Sequence, residues 1–163
     1  MMSDEKIKSS LNVTIGDQQA RPKTLRYEDI QVGEKVPPYT RFITSQSAIK
    51  FGRTYKDVFS GHINAKVSEG QFGVALMPVQ GAVLEAAVTP MIVNWLGSAK
   101  PWLYGGRQES KFIQVAVPGD TLTYQGTVTG KSEEGGRRYV TLDFHAENQK
   151  GEKVVVGNAR VAF

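Results

Sequence analysis

Asp57 and His62, five residues apart in "DVFSGHIN", are the first side chains to weigh for chemistry in this chain. An imidazole titrates near neutrality, and a carboxylate beside it can share a water with it and move its proton. The stretch also has the composition of a turn, with Ser60 and Gly61 between the acid and the base, so spacing alone leaves both readings open. The second histidine, His145, alternates with apolar neighbours in "RRYVTLDFHAE" and shares its polar face with Thr141 and Asp143. That pattern makes it a solvated strand residue. Neither histidine lies in a metal-ligand spacing such as HExxH, and no GxSxG, Walker A or GxGxxG pattern occurs. "SAIK" (47–50) matches SxxK, which carries little weight alone.

Composition narrows the classes. The 20 Lys+Arg against 16 Asp+Glu give a formal charge of +4, and the basic residues are scattered. Nucleic-acid binding calls for a basic stripe or cluster, so no nucleic-acid partner is expected. A mild positive balance suits a ligand that carries phosphates. The absence of cysteine removes disulfides, thiolate catalysis and zinc–thiolate sites together. "MMSDEKIKSS" lacks the apolar core of a signal peptide. The longest apolar stretch, 81–97, contains Glu85, Pro90 and Asn94 and is too short to span a bilayer. A cytoplasmic protein with no membrane partner is the expectation.

The elements that must position Asp57 and His62 follow from periodicity. Residues 1–24 are polar and aperiodic and read as a flexible N-terminal arm, leaving 25–163 as a single domain. A strand is expected near Tyr39–Thr44. A helix follows with Ala48, Phe51 and Tyr55 on its inner face and Thr44 or Ser45 as cap. Residues 58–80 read as a long irregular connection with one short helix. The segment 81–97 is apolar nearly all round, as in a buried helix, with Pro90 set to bend or restart it and Gly97 to stop it. Four strands close the chain: "SKFIQVAVPGD", 120–130, the alternating Val140, Leu142, Phe144 and Ala146, and 152–163, with "KSEEGG" and "NQKG" as turns. This order predicts an α+β domain, an antiparallel sheet wrapped around a central apolar helix.

With these residues in place, the chain resembles the MaoC-like (R)-specific enoyl-CoA hydratases and 3-hydroxyacyl thioester dehydratases of hotdog fold. Their D-x-N-P-I/L-H motif ends a helix in an aspartate and places a histidine five residues on, as Asp57-Val58-Phe59-Ser60-Gly61-His62 does here. Their central helix opens on a glycine, often in HG; here the pair is Gln80-Gly81. A serine eight residues later supports the histidine in many members, and Thr89 holds that position. "KFIQVAVPGDTLTYQGTVTGK" resembles their strand–PGD–strand signature, and the likeness runs from about Tyr27 to Phe163. The departures are Phe59, Ser60 and Gly61 for the motif's Asn, Pro and Ile/Leu, Gln80 for the histidine, and one extra residue between His62 and Gly81. Phe59 can make no side-chain hydrogen bond in place of the orienting Asn.

The resemblance implies reversible hydration of 2-enoyl thioesters. Asp57 and His62 would be the acid–base pair, the Gly81 N–H the donor to the thioester oxygen, and Thr89 a support. Glu85 stands as a pocket residue without a catalytic role. No cofactor is implied beyond the coenzyme A or acyl carrier protein that carries the substrate. The expected assembly is a homodimer or a heterodimer with a related hotdog subunit. Two alternatives stay open: an acyl-CoA thioesterase, since "GHINA" (61–65) resembles the "GHVNNA" of one hotdog thioesterase type, and a non-catalytic acyl-binding subunit of a heteromeric dehydratase.

Overall fold

The computed structural model describes residues 23–57, 60–62 and 64–163. Val58, Phe59 and nearly all of the expected N-terminal arm therefore lie outside the described residues.

Alternation of apolar and polar side chains dictates the sheet. In β4 (Arg137–Glu147) Val140, Leu142, Phe144 and Ala146 are buried, while Asp143 and His145 face outward. β4 pairs with β3 (Thr121–Glu134) and β5 (Lys153–Ala162); β1 (Lys35–Phe42) and β2 (Arg107–Phe112) complete an antiparallel sheet of order β1-β3-β4-β5-β2. Two expectations need adjusting. "KSEE" continues β3, and Gly135 and Gly136 alone make the turn, both at positive φ as a two-residue hairpin requires. β2 stops at Phe112; the Ile113 N–H still reaches Val154 O of β5, after which the chain leaves the sheet, with Ala116 O accepting from the Val79 N–H at 2.8 Å and Asp120 closing the Pro118-Gly119 turn through the Val117 N–H.

The helices are α1 (Ser45–Tyr55), α2 (Ala65–Phe72), α3 (Gly81–Glu85), α4 (Val88–Leu96) and α5 (Lys100–Leu103). The expected single helix over 81–97 is thus two. Pro90 has no N–H to give the Ala86 carbonyl and its ring crowds that turn, so the helix stops and restarts with the proline in its first turn, where the N–H is dispensable. The break leaves the last carbonyls of α3 short of backbone donors, although Leu84 O still accepts the Ala87 N–H at 3.2 Å. Side chains from three strands supply them: Arg41 donates to Val83 O at 3.0 Å, the Tyr124 hydroxyl to Leu84 O at 2.9 Å, and Gln108 Nε2 to Glu85 O at 3.5 Å. Burial raises the pKa of the Tyr124 phenol, which stays protonated and able to donate.

α4 supplies the core. Val88, Met91, Ile92, Trp95 and Leu96 are all buried, packed in one cluster with Leu122, Tyr124, Val128 and Leu142 of the sheet. Each fully buried side chain of this kind contributes about 1.5–3 kcal/mol. α3 and α4 are thereby fixed against the concave sheet.

Candidate active site

α1 starts where Thr44 Oγ1 accepts the Ser47 N–H at 3.2 Å. It ends at Lys56, whose φ of 52° is the only positive φ of a non-glycine residue among the described residues. The left-handed conformation costs a side-chain-bearing residue about 1–2 kcal/mol. It lets the N–H groups of Lys56 and Asp57 both turn back to Gly52 O. Gly52 makes this close turn feasible, since a Cβ there would lie 3.3 Å from the Asp57 carbonyl oxygen and 3.5 Å from Gln80 Nε2. The chain thus leaves α1 with Asp57 set at a fixed corner.

His62 ends a short 3-10 turn, Ser60–His62. Its Nδ1 lies 2.8 Å from the Pro78 carbonyl oxygen. A carbonyl only accepts, so Nδ1 carries the hydrogen and Nε2 is the basic nitrogen of the neutral ring. The imidazole stacks on Phe72 of α2 at 6.4 Å between centroids. α2 is held in turn by its Asn64 cap and by Ser68 Oγ, which donates to Leu76 O at 2.8 Å.

Two cavities meet at His62. The first, about 570 Å³, is lined by Asp57 and His62 with Ala48, Ile49, Gly52, Arg53, Lys56 and Met77. The second, about 220 Å³, lies among His62, Phe72, Pro78, Gly81, Leu84 and Phe112. The sequence-predicted residues are therefore brought together in pairs, Asp57 with His62 and His62 with Gly81, with the imidazole common to both. A Cβ on Gly81 would stand 2.7 Å from the Phe112 ring, so a larger residue there would have to displace that ring. Thr89 belongs to the restarted helix α4 and is half-buried; Ala86 and Ala87, which join it to α3, both keep right-handed helical backbone angles. Glu85 is half-buried at the end of α3.

Gln80 has a larger part than its sequence position announced. Only 3% exposed, it donates Nε2 to Ala48 O at 3.3 Å and so ties α1 to the start of α3. Its Oε1 has no partner among the described residues. A polar side chain directly before the helix glycine was the available signal. His145 lies on the outer sheet face, 3.3 Å from the Glu147 carboxylate. Among the described residues no group of three or more His, Asp or Glu side chains is arranged to hold a metal ion, and no helix is long and apolar enough to cross a membrane.

No family model matches the sequence, and no curated protein matches it. Solved structures do. A monoamine oxidase regulatory protein from Archaeoglobus fulgidus superposes with a TM-score of 0.74 at 21% identity, over 86% of this chain and 94% of that one. A MaoC-like dehydratase from Rhodospirillum rubrum gives 0.70 at 23% identity, over 85% and 95%. The (R)-hydratase PhaJ1 from Pseudomonas aeruginosa gives 0.67 at 23% identity, over 85% and 84%. The architecture is the hotdog fold that MaoC-like dehydratases and (R)-hydratases share.

Proposed function

We propose that the protein is a MaoC-like hydratase/dehydratase that adds water reversibly across 2-enoyl thioesters. The observation that carries this reading is that Asp57 and His62 line one cavity, with the imidazole tautomer set by the Pro78 carbonyl. A basic Nε2 and a carboxylate can hold a water between them, take its proton as oxygen attacks C3, and return a proton to C2. The thioester oxygen gains negative charge in that step, and the Gly81 N–H is a fixed donor for it. The (R)-hydratases and MaoC-like dehydratases of the same fold support this choice of chemistry.

The competing reading, an acyl-binding subunit, is favoured by one observation. The Phe112 ring packs against Gly81, so the cavity between His62 and Gly81 is small. A partner subunit would then supply the chemistry. Either way a second hotdog subunit is expected to pair with the sheet at β2. The other edge, β1, is irregular at Pro37-Pro38, where register shifts and two N–H donors are missing, whereas β2 offers an uninterrupted edge.

Mass analysis of enoyl-CoA incubated with the pure protein tests the choice. Gain of one water gives the 3-hydroxyacyl product and supports the hydratase. Release of free thiol indicates a thioesterase, and unchanged substrate that stays bound indicates the acyl-binding subunit.

A further inference from the structure

We infer that Lys56 and Arg53 grip the phosphate of the phosphopantetheine arm that carries the thioester. This rests on the hydratase reading of the adjoining pair. Both side chains line the same 570 Å³ cavity as Asp57 and His62. The buried Ala48 and half-buried Met77 form the apolar inner part of that cavity, whereas Arg53 and Lys56 are solvent-exposed with Ile49 and form its rim. Among the described residues neither cation is in a salt bridge.

The backbone supplies an independent reason to single out Lys56. A helix that ends in the left-handed region ordinarily places glycine or asparagine there, and α2 and α4 do so with Gly73 and Gly97. α1 alone of the three carries a lysine, at φ 52°. A strained residue beside a cavity points to a side chain kept for its chemistry. An ammonium and a guanidinium three residues apart on the rim of an acyl-sized cavity match a phosphate whose pantetheine reaches inward to the acid–base pair. Lys50, exposed one turn before Arg53 on α1, extends the positive face.

The experiment compares kcat/KM for an enoyl-CoA with that for the same enoyl group on pantetheine, which ends before the phosphate. Wild type, Lys56→Gly, Arg53→Ala and the double variant are measured side by side. The expected result is a wild-type preference for the CoA substrate that shrinks about threefold in each single variant and about tenfold in the double, and that weakens with salt. Lys56→Gly is also expected to melt at a higher temperature than wild type, because glycine adopts the left-handed conformation freely. A CoA-to-pantetheine ratio that stays at the wild-type value in the double variant would overturn the inference. The same enoyl group on an acyl carrier protein separates the two sources of the phosphate: a double-variant loss there as large as with CoA assigns the grip to the shared arm. If wild type hydrates neither thioester, the hydratase reading fails by itself. Calorimetry with free CoA and pantetheine then decides the grip: tighter CoA binding that the double variant loses upholds it, and equal affinities refute it.

Discussion

The two histidines sit in opposite surroundings. His145 is one of a row of polar side chains on the outer face of β4, beside Glu147 and open to water. His62 lies off the sheet, its Nδ1 fixed on the Pro78 carbonyl, its ring stacked on Phe72, with a cavity on either side. A carboxylate neighbour does not distinguish them, since both have an acid in reach of the same region. What distinguishes them is the ring's anchoring: the Pro78 carbonyl fixes the tautomer of His62 and leaves Nε2 as its basic nitrogen, whereas His145, which also lines a cavity of about 380 Å³, turns its Nε2 to Glu147. The difference teaches that, on the proposed reading, the chemistry belongs to the connection between α1 and α3, while the sheet provides the frame.

The largest effect follows directly. His62→Ala is expected to lower hydration by about 10²–10⁴-fold, the usual worth of general acid–base help, with far-UV circular dichroism unchanged. His145→Ala is expected to leave the rate within about twofold, since it removes only a half-buried pair on the outer sheet face, away from Asp57 and His62. Equal losses in both variants would erase the contrast. Asp57→Asn belongs with His62→Ala, and combining the two is expected to add little, as for residues that act as a unit.

Gly81→Ala comes next. Its Cβ would meet the Phe112 ring at 2.7 Å, so overpacking is expected to cost about 1–3 kcal/mol in denaturant melts and to slow turnover. Phe112→Ala in the same chain should recover the stability.

A smaller effect tests the frame. Tyr124→Phe removes one of the two donors to the Leu84 carbonyl, which keeps the Ala87 N–H at 3.2 Å, and is expected to cost about 0.5–1.5 kcal/mol, the usual net worth of a hydrogen bond. Turnover is expected to fall less than in the Gly81 variant.

The smallest effect lies in the short 3-10 turn Tyr27–Asp29 ahead of β1. Asp29 accepts from the Arg26 guanidinium and from the Arg26 N–H, which hold its carboxyl at about 2 against an ordinary 3.8. A carboxyl pKa depressed by folding contributes stability above pH 3.8 that fades as the pH falls toward about 2. Because the group is exposed, Asp29→Asn is expected to flatten that acid limb of the melting profile only slightly.

Much of the frame was legible in the sequence because alternation is a local signal. Val140, Leu142, Phe144 and Ala146 named their own buried face, and Thr44 named its cap. Pro90 announced an interruption, and the helix does restart around it; that Arg41, Tyr124 and Gln108 would stitch the gap was not legible, because those contacts span tens of residues. Of the site, Asp57 and His62 were found through the order and spacing of a resembling motif, whereas the Pro78 carbonyl that orients the imidazole leaves no trace in side-chain identity. Gln80 was visible as a substitution, and its bridge to Ala48 only in three dimensions. Phe59, which replaces the motif's Asn, lies outside the described residues.

The most direct test follows the ultraviolet absorbance of trans-2-enoyl-CoA thioesters across several chain lengths as wild type, Asp57→Asn and His62→Ala are added in parallel. The account predicts loss of the conjugated signal with wild type and a flat trace with either variant at equal folded concentration. A wild-type trace that stays flat at every chain length, or a variant as fast as wild type, would contradict the assignment of Asp57 and His62 as the hydrating pair.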